Sequence, residues 1–172
     1  LMLAGHHPLN AMSALKDNGD LSSPQHTGQL TFALLGYPYN LYDPFISIQL
    51  IDKLQKMGIN ILTPENVSAK ILQIQPPVLQ KSLFWTFSEQ VMQAAKYFLK
   101  SGKIDGVIHL TAFGCGPDSL LNNFIEREAT KYPHIPLMTL TIDEHGGEAG
   151  ITTRLEAFID MVQRKKRGVR NA

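Results

Sequence analysis

Four short apolar runs, spaced by segments with helical periodicity, constrain this chain more than any other feature. Leu30 to Leu35 ends at Gly36, Ile59 to Leu62 closes at Thr63-Pro64, and Val107 to Leu110 and Ile135 to Ile142 follow. Runs this short and this continuous read as strands buried on both faces, because a helix needs more length to bury a stripe. Strand and helix alternating four times predict a doubly wound, Rossmann-like α/β fold with helices on both faces of a parallel sheet. Right-handed crossovers make 2-1-3-4 the expected strand order.

The intervening segments carry their own stop and start signals. Asp43-Pro44 offers an N-cap and a proline for the first helical position, and Leu50, Ile51, Leu54 and Met57 keep helical spacing up to Gly58. A helix is expected near Pro64, broken by Gln75-Pro76-Pro77. Thr86 and Glu89 have capping-box spacing, and Phe87, Val91, Ala94 and Phe98 trace one helix face, with Gly102 as the stop. Asp118 is expected to cap a helix whose stripe is Leu121, Phe124, Ile125 and Ala129. Thr153 and Glu156 repeat the capping-box spacing, and Arg164 to Arg167 sits where a helix C-terminus favours positive charge.

Composition then excludes classes. A chain of 172 residues suits one domain. A formal net charge of +1 provides no field for nucleic acid. No apolar run approaches the roughly 20 residues that span a bilayer, so neither nucleic acid nor membrane is expected as a partner. A single cysteine rules out an internal disulfide and suits a reducing, cytoplasmic setting. Residues 1–28 lack a period and are rich in turn formers, so they are expected to be a linker or the tail of a missing preceding domain. Residues 29–172 are expected to form a single α/β domain. Leu1 in place of methionine, with no basic segment before the first apolar residues, predicts a fragment rather than a signal peptide.

In such a sheet, ligands bind beyond the carboxyl ends of the strands where the winding reverses, here between the first and third strands. The loops expected there run from Gly36 to Asp43, Thr111 to Asp118 and Asp143 to Gly150, and they should converge on one crevice. Cys115 lies between Gly114 and Gly116 ahead of a helix N-terminus, a place that favours thiolate, the form needed for metal ligation or attack. The alternative is a small buried residue in a tight turn. His109, inside the third strand, reads as a core histidine bonded to a neighbour. Tyr37, Tyr39 and Asn40 could line a pocket or anchor a loop, and Gly114, Gly116 and Asp118 would shape the third-strand turn. Glu144, His145, Gly146 and Gly147 form a turn that could take an anion, while Glu148 either caps the last helix or faces the crevice. Arg154 either holds an anion or makes a surface ion pair. Absent motifs matter as well. No Gly-x-Gly-x-x-Gly, Walker A, Gly-x-Ser-x-Gly or Cys-x-x-Cys occurs, so no NAD or P-loop nucleotide site, hydrolase elbow or self-contained zinc site is expected.

The segments Gly36 to Phe45, Leu83 to Phe87, Gly114 to Ser119 and, above all, Asp143 to Phe158 resemble the acyl-CoA dehydratase activase-related proteins. These are relatives of the iron–sulfur subunits of 2-hydroxyacyl-CoA dehydratases and benzoyl-CoA reductases. The resemblance spans about Leu30 to Val162. It implies a [4Fe–4S] cluster in the full-length protein or complex, with Cys115 as an iron ligand and acyl-CoA as substrate. The partner it implies is the remainder of the protein or a dehydratase or activase subunit. One cysteine cannot complete a four-iron site, so the fragment alone is expected to be inactive. The other reading of the same fold is a non-catalytic module that binds CoA or another anion, or that docks a subunit.

Overall fold

The structure is a computed structural model that describes residues 30–74, 83, 85–143 and 147–170. Strand β1 (Thr31–Leu35) is followed by a short helix α1 (Pro38–Tyr42), helix α2 (Leu50–Lys56) and strand β2 (Asn60–Leu62). A 3-10 turn (Pro64–Asn66) and α3 (Ala69–Ile74) lead to α4 (Thr86–Ser101), β3 (Gly106–Ala112), α5 (Gly116–Ala129), β4 (Leu137–Ile142) and α6 (Glu148–Arg170). All strand pairs are parallel and the order is β2-β1-β3-β4, as the alternation of the sequence predicts.

Because side chains alternate along a strand, each strand feeds two cores. Phe32 and Leu34 of β1, with Ile108 and Leu110 of β3, pack under α2 and α6. Ala33 and Leu35 pack with Val107 under α4 and α5, against Val91, Phe98, Leu121 and Ile125. Phe32 and Phe158 meet edge to face with ring centroids 5.4 Å apart. The basic end of α6 is not simply solvated. Lys165 donates to the Pro133 carbonyl at 2.7 Å, and Lys166 pairs with Asp105 at 2.6 Å.

Several local expectations are corrected by where hydrogen bonds go. The helix expected from Asp43 begins at Leu50, because Ile48 and Gln49 hold left-handed φ values of 51° and 54° that no α-helix accommodates. Asp43 caps a tight turn instead, accepting the Phe45 and Ile46 amides at 2.9 and 3.0 Å. Glu89 does not close a box with Thr86. Its carboxylate takes the Leu83 amide at 2.7 Å and the Gln93 side chain. Thr153 is internal to α6, which starts five residues earlier, and its hydroxyl donates back to Ala149 at 3.0 Å. The proline break at residues 75–77 lies outside the described residues.

Candidate functional site

Parallel strands place the turns after β1, β3 and β4 along one rim, but the sheet divides that rim into two sides. On the α5 side stands the Cys115 turn. Gly114, at φ 74°, reverses the chain, and Cys115 is the N-cap of α5, with Pro117 in the first turn. The backbone of Cys115 carries the turn. Its amide donates to Ala112 at 3.3 Å, and its carbonyl accepts the Ser119 amide and hydroxyl at 3.0 and 2.9 Å. Asp118, expected as the cap, lies inside the first turn of the helix. It pins the loop from beneath, Oδ2 accepting the Ala112 amide at 2.9 Å.

The β1 turn comes to meet this loop. Gly36 allows the approach, since a Cβ there would lie 2.9 Å from the Leu41 side chain and 3.1 Å from the Leu110 carbonyl. Tyr37 is buried, its hydroxyl 2.7 Å from Ser88 Oγ and its ring 5.6 Å from that of Tyr39. Burial is the main cause that raises both phenol pKa values above the ordinary range. Electrostatic repulsion from the neighbouring Asp118 and Cys115 side chains adds to the rise.

Under α5 lies a buried polar layer. Asn122 donates to Glu126 at 2.7 Å, which turns its Oδ1 toward Thr139 Oγ1 at 2.8 Å and His109 Nδ1 at 3.0 Å. An amide oxygen only accepts, so this network assigns the proton to His109 Nδ1 and leaves Nε2 as a lone pair. Nε2 faces Asp118 Oδ1 at 3.7 Å, and neither atom has another partner. Burial drives the His109 pKa down, against the Asn122 bond and the Asp118 charge, and drives Asp118 up, against the Ala112 amide. Both shifts favour neutral forms. Burial thus works against an ion pair between His109 and Asp118.

On the α2–α6 side the rim opens into a cleft of about 830 Å³. Phe45 and Phe113, 92% and 74% exposed, stand at it, with Ile48 and Gln49 on one wall. Asn40 lines it and is only 2% exposed, yet its Nδ2 has no hydrogen-bond partner. Lys53 is held there by Glu148 Oε1 at 2.8 Å and by the Ile48 carbonyl.

The expected site residues thus separate. Tyr37, Tyr39, Gly114, Gly116, Asp118 and Cys115 belong to the α5 side, while Asn40 and Glu148 line the cleft. Gly147 immediately precedes α6, its carbonyl accepting the Gly150 amide at 3.1 Å. Arg154 donates to the Thr139 carbonyl at 3.0 Å. Glu144, His145 and Gly146 lie outside the described residues. Sequence reading missed Lys53, Phe45 and Phe113 as site residues, since nothing local marks residues that meet only across the rim. No group of three or more His, Cys, Asp or Glu side chains among the described residues could hold a metal ion. No described helix is long and apolar enough to cross a membrane.

The chain is thus a parallel, doubly wound α/β domain with a cleft at its strand ends. The chain belongs to the 2-hydroxyglutaryl-CoA dehydratase D-component family, which it matches over residues 64–162. Residues 4–67 match a CoA enzyme activase uncharacterised domain. The two matches meet just after β2, so the pairing of β1 with β3 joins them in one sheet. No curated protein is significantly similar to the chain.

Proposed function

We propose that the chain is a domain of a CoA-thioester dehydratase or activase system, cytoplasmic, and that its strand-end rim faces the rest of the protein or a partner subunit. The observation that carries this is the meeting of the Tyr37 and Cys115 turns at one rim, in a chain of this family. The fit of an iron–sulfur cluster is decided by the donors. A [4Fe–4S] cluster takes four thiolates, the chain has one cysteine, and His109 is buried in its own network. A cluster held wholly by these 172 residues does not fit. Cys115, half-buried at the rim, suits the part of a single ligand to a cluster completed from outside them, and the chain alone is then inactive.

A second reading, a non-catalytic module that binds CoA or docks a subunit, is favoured by the cleft, whose lining does not include Cys115. Iron and acid-labile sulfide, measured in the anaerobically purified longer protein, separate the two. Iron that is lost with Cys115→Ala supports the ligand role. Equal iron in both proteins, or none in either, removes it and leaves the binding module.

A further inference from the structure

The polar layer beneath α5 sets two acceptors face to face with no donor between them. His109 and Asp118 are both fully buried, and His109 Nε2 and Asp118 Oδ1 face each other at 3.7 Å with no other partner. The neighbouring bonds are already committed. The Nδ1 proton goes to Asn122 Oδ1, which also accepts from Thr139, and Asp118 Oδ2 accepts the Ala112 amide. An ionised Asp118 would therefore set a negative oxygen against a buried lone pair. Two buried acceptors left in this way are costly, and a single added proton satisfies both.

The surroundings agree with a held proton. Burial weakens proton binding at His109 and strengthens it at Asp118, and groups this close gain and lose a proton as a pair. Around them stand Glu126 on α5, Tyr37 and Tyr39 on the β1 turn, and Cys115 at the β3 turn. The Glu126 charge favours keeping the proton. From β4 come the uncharged Thr139 and Thr141, and from α4 the uncharged Ser88, bonded to Tyr37.

We propose that His109 and Asp118 hold one proton between them, and that this proton latches the Cys115 turn to β3. With it, both Asp118 oxygens are tied to β3, Oδ1 to His109 and Oδ2 to the Ala112 amide, and the base of the turn is fixed. Without it, Oδ1 repels Nε2, the carboxylate turns toward water, and the Ala112 amide loses its acceptor. The turn is firm while the proton is held and loosens as pH rises through its release. This latch goes beyond the reading of Cys115 as an iron ligand and stands whether or not that reading does.

The test is nuclear magnetic resonance on the full chain with nitrogen-labelled histidine, across the pH range in which it stays folded. The Nδ1 resonance of His109 should stay that of a protonated nitrogen, and Nε2 should shift as the pair releases its proton. In the same samples, hydrogen exchange at the Ala112 amide is compared with that at Thr31, whose amide is held at 2.9 Å by Asp105, the ion-pair partner of Lys166. The Ala112 to Thr31 ratio should rise by about tenfold with that release, the worth of one hydrogen bond. Asp118→Asn, which brings its own donor to Nε2, should keep the ratio flat. A ratio that stays flat in the parent, or rises equally in the variant, overturns the inference. So does an Nε2 resonance that does not move, a result read in the parent alone and independent of how the variant folds.

Discussion

The two faces of the β3–β4 pair are built from opposite materials. Toward α2 and α6 the strands present Ile108, Leu110, Leu140 and Ile142, wholly apolar. Toward α5 an apolar pair, Val107 with Leu137, gives way to His109 with Thr139 and Thr111 with Thr141, and the two threonine hydroxyls of the last pair bond at 3.0 Å. Apolar contacts are non-directional and accept repacking, whereas a buried polar layer is satisfied in few arrangements. The polar layer ends at Asp118, which also pins the Cys115 turn. The side of the sheet that is costlier to bury is therefore the side that fixes the geometry of the thiol-bearing loop.

The largest effect should come from the apolar face. Phe32→Ala removes a fully buried ring and its contact with Phe158. It should lower stability by about 3–5 kcal/mol in a urea titration; a cost near that of the polar-layer variants would erase the contrast. Next is Asp118→Ala, which strands the Ala112 amide and should cost about 1–3 kcal/mol. Asp118→Asn tests the protonation directly. Its oxygen can still accept from Ala112, and its amide can donate to the lone pair of His109 Nε2, so stability should stay within about 0.5 kcal/mol of the parent. An asparagine as damaging as alanine would mean that the buried pair is ionised.

The pH dependence follows from the two shifts, which act in opposite senses. Asp118, raised above 3.8 by burial, contributes stability that is full below that pH and is lost as pH rises through its folded pKa. His109, lowered from 6.5 by burial, contributes stability that is full above that pH and is lost as pH falls. Within the window from 3.8 to 6.5 the terms oppose each other in the parent. Asp118→Asn leaves only the histidine, so the variant should lose stability on acidification below pH 6.5 more steeply than the parent. Urea midpoints at several pH values through that window give the comparison, and parallel curves would refute the raised pKa of Asp118.

Much of the apolar architecture was legible because strands and helix stripes are local patterns. The runs at Leu30, Ile59, Val107 and Ile135 became the four strands within two residues of their expected limits. Caps were less legible, because Glu89 and Thr153 had partners that spacing does not reveal. The short helix Pro38–Tyr42 hid inside a segment rich in tyrosine and proline that reads as loop. The Cys115 turn could be read from Gly-Cys-Gly ahead of a helix. The cleft could not, because Asn40, Lys53 and Phe113 come from three separate elements and meet only once β1 and β3 pair.

A small effect should also fall on the residue that drew most attention in the sequence. At Cys115 the backbone makes the turn's hydrogen bonds, to Ala112 and from Ser119, and Cys115→Ser keeps all of them. The side chain is half-buried against the α4–α5 core, so replacing sulfur with a hydroxyl should cost no more than about 1 kcal/mol. Gly114→Ala, one residue earlier, places a Cβ in open space but at φ 74°, and the left-handed backbone alone should cost about 1–2 kcal/mol. A serine variant less stable than the alanine variant would make the thiol a packing residue, the plainer of its two readings. The opposite order leaves Cys115 dispensable to the fold, so that iron measured with and without it reports on ligation rather than on unfolding.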